Sequence, residues 1–432
     1  MNAENNSDKI GKKAVRLSKK LRGKIEIKLK AKIKSFDDFA LIYTPGVAAV
    51  SNAIAKDRSL SYGLTYKWNT VAIVSDGTRV LGLGNIGPDA AMPVMEGKAL
   101  LFKYLGGVDA IPITLGTTDA DSIVATVKAI APSFGAINLE DIESPKSFAI
   151  LESLQKELSI PIWHDDNQGT AAITLAAFKN ALKLVNKDIK NIKLTVFGAG
   201  TASISILKLL ALSGLDKRNA IVIDSRGVLH GGRPDLEALK SSNPYKYDLI
   251  NTTNKFNATT IEEAIEGSDA VIAASSSNSN TIKAEWIGKM SNDPIVFALA
   301  NPEPEISYES AQKAGVKIFA TGRSDIPNQV NNSLVFPGMF RGVLDVGASR
   351  ITDTMAIAAA NELAKYAEEK GLSTNYIVPR MDDVDTYYRV AAGVGVQAYL
   401  DGATKSKLSY EEIYENAKRI IEKSRGAKSR KL

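Results

Sequence analysis

The chain has 432 residues, 44% of them hydrophobic and 24% charged, the balance of a globular protein long enough for two or three domains. It has no cysteine and only two histidines, His164 and His230. This excludes disulfides, thiolate sites, cysteine nucleophiles and multi-histidine centres, and leaves oxygen ligands, hence Mg²⁺ or Mn²⁺, for any metal. The net charge of +6 is unevenly spread: residues 1–34 hold 12 Lys/Arg against 3 Asp/Glu, residues 418–432 hold 7 against 1, and the body between them is acidic.

The polar, charged N-terminus has no apolar h-region, and no run of about 18 apolar residues follows, so a cytoplasmic protein that does not span a membrane is expected. No aromatic residues interleave the basic ends. They read as solvated terminal helices or tails, with nucleic-acid binding as the alternative. Residues 36–58 read as a loop and then a helix starting near Pro45. Residues 70–75 form a strand, Asp76-Gly77 a turn, and 79–83 a second strand, giving a hairpin before the glycine-rich loop 82–87. A helix is expected over 93–105. Strands at 109–113, 136–139 and 160–163 then alternate with helices at 119–131 and 145–158, the pattern of a parallel α/β domain.

A long helix over 168–186 joins this domain to a second one. That domain begins with strand 192–197, helix 202–213 and strand 220–224, and continues through strands near 270–274, 295–299 and 317–320. Helices are expected over 353–369 and 410–424. The fold class is therefore α/β with two domains: a parallel N-terminal domain over 1–165 and a doubly wound Rossmann domain over 166–400, followed by a basic helical tail over 401–432.

The run Gly198-Ala199-Gly200-Thr201-Ala202-Ser203 lies between a strand and a helix. The first glycine permits a tight turn, the second lets backbone approach a pyrophosphate, and the helix N-terminus offers free N–H groups. The next strand ends in Asp224, 26 residues after Gly198, where a ribose-binding acid belongs. Asp224 points to NAD. Ser225 and Arg226 follow at once, and Arg226 is either a partner for the 2′-phosphate of NADP or a solvent-facing turn residue.

Two acidic pairs, Glu140-Asp141 and Asp165-Asp166, follow predicted strands of the first domain. Strand C-terminal ends share one edge of a parallel sheet, and carboxylates gathered there repel one another unless a cation neutralises them. Helix capping is the competing role. Lys98 has Val94, Met95, Leu101 and Phe102 at helical spacing. Burial there would lower its pKa and make it a general base, whereas snorkelling would keep it at the surface. Arg79 could clamp a carboxylate or simply face solvent. Tyr43 precedes Pro45-Gly46 at a helix start, where phenols are often merely packed.

Seven motifs taken in order resemble the malic enzymes: Tyr43–Ala48, Leu81–Pro88, Met92–Lys98, Asn138–Asp141, His164–Thr170, Ala300–Pro302 and Asn331–Gly338. The length and the Met-Glu-Gly-Lys form are similar to the small prokaryotic branch without a fused acyltransferase domain. The resemblance implies oxidative decarboxylation of malate to pyruvate and CO₂ with NAD or NADP and Mg²⁺ or Mn²⁺, and decarboxylation of oxaloacetate as a further activity. It implies Glu140, Asp141 and Asp166 as metal ligands, Asp165 behind them, Lys98 as base and Tyr43 as acid. It also implies Arg79, Asn301 and Asn332 as substrate contacts, with Asn301 reaching the cofactor as well, and a homodimer or tetramer in which a neighbouring subunit supplies Tyr43. The chain departs from the family pattern at Ser203, in the run Ala274–Asn280 and at Phe336-Pro337-Gly338. A metal-independent amino-acid dehydrogenase and a dinucleotide-sensing or nucleic-acid-binding protein are the competing readings. Sensitivity to EDTA separates the first, and salt-dependent filter binding the second.

Overall fold

The computed structural model describes residues 2–275 and 277–426. Met1, Ser276 of the serine run and residues 427–432 of the basic tail lie outside the described residues. The first 66 residues carry helices Asn2–Leu21, Asp37–Ile42, Gly46–Lys56 and Leu60–Leu64. The last three bury none of their residues, and Leu41 and Ile42, with the flanking Phe36 and Tyr43, stand exposed although large.

The first sheet contains β1 (Thr70–Ser75), β2 (Asp109–Thr114), β3 (Ala136–Leu139) and β4 (Ile162–His164). The strands are parallel in the order β2-β1-β3-β4. β1 is buried along its whole length, as a parallel strand covered on both faces must be. Helix Gly87–Gly106 packs Met95, Ala99 and Phe102 on one face with Val71 and Ile73. Helices Ala120–Ile130 and Lys146–Glu157 cover the other face with Ile123, Val127 and Leu154. The hairpin strand expected at 79–83 does not form. Leu81, Gly84 and Gly87 all take positive φ, and the loop closes through the Val80 N–H donating to the Gly84 carbonyl at 2.9 Å. The same glycines that mark the run break an extended chain.

The connecting helix is Thr170–Leu184, shorter than its expected span. It is preceded by a wide π-helical turn, Asp165–Gly169, a form that recurs at functional sites. The helix is buried nearly all round, because it lies inside one apolar cluster running from Val71 and Phe102 to Leu194 and Phe336. The second sheet contains β5 (Leu194–Phe197), β6 (Ala220–Asp224), β7 (Gly227–Val228), β8 (Ala270–Ala273), β9 (Ile295–Ala298) and β10 (Ile318–Thr321). Its order is β10-β9-β8-β5-β6-β7, the doubly wound arrangement with a two-residue antiparallel β7 at the edge beside β6. The direction of winding reverses between β5 and β8.

Helices Phe336–Asp345, Asp353–Lys370, Asp385–Leu400 and Tyr410–Arg425 finish the chain. Gly342 lets the first of these approach the third, since a Cβ there would lie 2.5 Å from the Ala391 carbonyl oxygen. The last helix carries a Ser409–Glu412 capping box and buries Ile413, Ala417 and Ile421. It crosses back to the first sheet's helix Gly87–Gly106: Ser424 Oγ donates to the Lys103 carbonyl at 2.9 Å and Arg425 lies over the Tyr104 ring. No described helix is long and apolar enough to cross a membrane.

Candidate active site

β3 and β4 deliver the two acidic pairs to one sheet edge, as their spacing after the strands requires. Lys98, on the helix that covers β1, reaches the same place. Its Nζ donates to Glu140 Oε1 at 2.7 Å and to Asp165 Oδ2, and sits 4.4 Å from the centroid of the Phe336 ring. Lys98 is buried, so it does not snorkel. Burial alone would lower its pKa, but the charges of Asp165, Glu140 and Asp166 outweigh burial and raise it. The expectation of a lowered value is therefore reversed: an apolar face surrounds the stem, while carboxylates surround the ammonium.

Each acid has a distinct support. Glu140 Oε2 accepts from Asn138 Nδ2 at 2.8 Å, Asp165 Oδ1 accepts from the Trp163 indole at 2.9 Å, and Asp166 Oδ2 accepts from the Asp141 backbone N–H at 2.8 Å. Asp141 holds a left-handed φ of 54°, and its Oδ2 is buried without a hydrogen-bond partner. Burial, then neighbouring carboxylate charge, raises Glu140 strongly and pushes Asp141 up to about 8. Burial also raises Asp165. His164 ends β4 with both ring nitrogens buried and unpartnered; burial takes its pKa down to about 4, so the ring is neutral.

Among the described residues no three acidic or histidine side chains converge on one point. The donor set nevertheless fits a hard divalent cation. The orphaned Asp141 oxygen, a partly exposed Asp166 and the excess of carboxylates over the single buried ammonium are what such an ion relieves. Glu140, held by Lys98 and Asn138, would have to exchange one of these partners to join in.

The substrate candidates gather around this centre from both halves of the chain. Arg79 is exposed, its backbone N–H donates to the Asp141 carbonyl at 3.0 Å, and its Nη1 would lie 4.0 Å from a Cβ built on Gly200. A Cβ on Gly82 would lie 2.9 Å from the Asn301 carbonyl oxygen, and one on Gly169 would lie 3.2 Å from Asn332 Cβ. The glycine-rich loop and the acidic turn thus abut the two asparagines. Tyr43 is not brought in: it is 70% exposed on the segment that buries nothing.

At the second sheet, Gly198 has φ +97°, and a Cβ there would lie 2.4 Å from the Ala274 carbonyl oxygen across the β5–β8 crevice. Gly200 precedes helix Thr201–Leu212, with Thr201 and Ser203 buried and Ala202 beside them. The Ser203 hydroxyl is buried without a partner, the local cost of a serine where a smaller residue is usual. Asp224 ends β6, with exposed Ser225 and Arg226 following. Its carboxylate accepts from Arg233 Nη1 at 2.9 Å, Lys246 Nζ at 3.1 Å and the Arg226 backbone N–H at 2.9 Å. Sequence reasoning missed Trp163, Asn138, Arg233, Asp235 and Lys246. Asn138 and Trp163 each lie two residues before the acid they hold, a local signal that could have found them; Arg233, Asp235 and Lys246 stand at no motif spacing, and only the fold brings Arg233 and Lys246 to Asp224.

A family model described as "Malic enzyme, N-terminal domain" matches residues 22–155, and one described as "Malic enzyme, NAD binding domain" matches residues 167–399. A bifunctional malic/malolactic enzyme of Bacillus subtilis is 44% identical over 412 residues, covering 95% of this chain and 98% of its own. An NAD-dependent malic enzyme of Geobacillus stearothermophilus is 47% identical, covering 89% of this chain and 78% of its own. The crystal structure of the Entamoeba histolytica malic enzyme superposes with a TM-score of 0.92 at 43% identity, covering 95% of this chain and 86% of that one.

Proposed function

The chain belongs to the malic enzyme family, and we propose a division of labour among its residues for the reaction of that family. The reaction is oxidative decarboxylation of malate to pyruvate and CO₂ with reduction of NAD(P), dependent on a divalent metal. Residues 1–165, joined by Asp166, Asn301 and Asn332 of the second domain, take substrate and metal, residues 166–400 take the dinucleotide, and helix Tyr410–Arg425 of the 401–432 tail packs back on the Lys98 helix. When bound, the cation supplies Lewis-acid stabilisation of developing negative charge, and the nicotinamide supplies the hydride acceptor.

The carrying observation is the buried Lys98 ammonium between Glu140 and Asp165 at the edge where the acids meet. Glu140, Asp141 and Asp166 would hold the cation; Asp165, fixed by Trp163, stays behind to orient Lys98. Were Glu140 to turn from Lys98 to help hold a cation, one carboxylate that keeps the lysine charged would be withdrawn. Burial, which opposes the charged form, then counts for more against the remaining charges of Asp165 and Asp166. Neutral Lys98 takes the C2 hydroxyl proton as hydride leaves C2. Arg79 grips a substrate carboxylate, with Asn301 and Asn332 as hydrogen-bonding partners and Asn301 also facing the cofactor. Tyr43 returns a proton to C3 after CO₂ departs.

Gly198, Gly200, Thr201, Ala202 and Ser203 cradle the pyrophosphate, and Asp224, Ser225 and Arg226 face the adenosine ribose. We further assign a homodimer in which a neighbouring subunit brings Tyr43 to Lys98. The support is the row of uncovered apolar side chains from Ile25 to Tyr66, among them Ile27, Leu29 and Phe36. A dinucleotide that cells keep inside makes the cytoplasm the place of action. The test is an absorbance assay at the reduced-nicotinamide band with malate, Mn²⁺ and either dinucleotide. Metal-dependent reduction with release of pyruvate is expected; reduction indifferent to EDTA would overturn the metal assignment.

A further inference from the structure

The ribose end of the dinucleotide site holds a closed network of charges. Asp235 Oδ1 accepts from Arg233 Nε at 2.9 Å, and Asp235 Oδ2 accepts both Arg233 Nη2 and Arg226 Nη1, each at 2.9 Å. Arg233 is buried and sends its remaining bonded nitrogen to Asp224 Oδ1. Lys246 takes Asp224 Oδ2. One face of this network lines a cavity of about 160 Å³ bounded by Arg226, His230, Arg233, Asp235 and Thr259. The three cations of this network, Arg226, Arg233 and Lys246, are therefore each already engaged by a carboxylate.

We infer that Asp235 is a positioning residue that sets cofactor selectivity, holding the Arg226 guanidinium off the 2′ position so that the chain prefers NAD to NADP. The inference rests on the dinucleotide site proposed above and deepens it. Three cations and two carboxylates make the cluster net positive, so total charge does not reject a phosphate; placement does. Among the described residues Asp224 Oδ2 accepts only from Lys246 and keeps a lone pair for a ribose 2′-hydroxyl. A dianionic 2′-phosphate in the same place meets the Asp224 carboxylate, and its natural clamp, Arg226, is spent on Asp235. Arg226 is otherwise free to move: 69% of its side chain is exposed, against 12% for Asp235. Asp235 also precedes helix Leu236–Ser242 without making a side-chain capping bond to it, so replacing it removes no cap.

The test measures NAD and NADP dissociation constants by titration calorimetry on the full chain, wild type and Asp235→Asn. Wild type is expected to bind NAD at least tenfold tighter than NADP. Asp235→Asn is expected to tighten NADP by at least tenfold, about 1.4 kcal/mol, while NAD moves far less. Adding Arg226→Gln to Asp235→Asn should return NADP affinity to the wild-type level, which a merely structural defect would not do. Equal weakening of both dinucleotides in Asp235→Asn, or a wild type that prefers NADP, overturns the inference. A wild type that binds neither dinucleotide overturns the site reading itself. If Asp235→Asn fails to fold, Arg226→Gln answers the same question: a loss in NADP affinity of less than threefold shows that Arg226 is already unavailable, and a larger loss overturns the proposal.

Discussion

Lys98 is held in two environments at once, an apolar one along its stem and an anionic one at its tip. Its role depends on the second. Replacing it with Ala should lower kcat by about 10²–10⁴-fold while leaving dinucleotide binding intact; an unchanged turnover sinks its assignment as base. Asp141 gives a pH prediction. Its carboxyl titrates near 8 in the folded chain against 3.8 in the ordinary case, so the metal-free folded state binds more protons than the unfolded one between these values. Stability without metal is then present at low pH and declines as pH rises from about 4 to about 8. The Tm of EDTA-treated protein should fall across that window, and Mn²⁺ should restore it most at the alkaline end; a flat profile without metal rejects this. The identity of these acids was readable because strand ends and helix spacing announce them. The direction of the Lys98 shift was not, because Asp165 lies 67 positions away and meets it only in the fold.

Among the elements, the strands of both sheets were legible as short apolar runs, and their order follows from parallel crossovers. The false strand at 79–83 shows the limit: Leu81 and Leu83 alternate with glycines as in a strand, yet both are exposed on a tight loop. Antiparallel β7, two residues long, is too short to leave a pattern. The last helix was visible in the sequence, but not what it packs against. Ile421, on the inner face of this helix, is fully buried, so Ile421→Ala should cost about 2–5 kcal/mol, measured by urea unfolding. A cost under about 0.5 kcal/mol would mean that this helix is only loosely seated.

At the scale of the whole molecule, the segment before β1 is the part a single chain leaves unfinished. Its apolar side chains need a covering surface, and Tyr43 needs a partner for its proton. Both needs are met by the proposed dimer. Tyr43→Phe and Lys98→Ala chains, each inactive alone, should regain up to about a quarter of wild-type activity when unfolded together and refolded, because half the dimers are mixed and each holds one intact site. No recovery in confirmed mixed dimers would place Tyr43 within its own subunit. A further consequence concerns the order of synthesis. The helix bearing Lys98 is clasped at its end by a residue 321 positions later, through Ser424 on Lys103. At roughly 5–20 residues per second, about 15–65 s of translation separate the two. For that interval the C-terminal end of the Lys98 helix waits on the ribosome without its last partner, and a chain terminated early would carry every residue of the acidic centre while lacking the clasp that closes its scaffold.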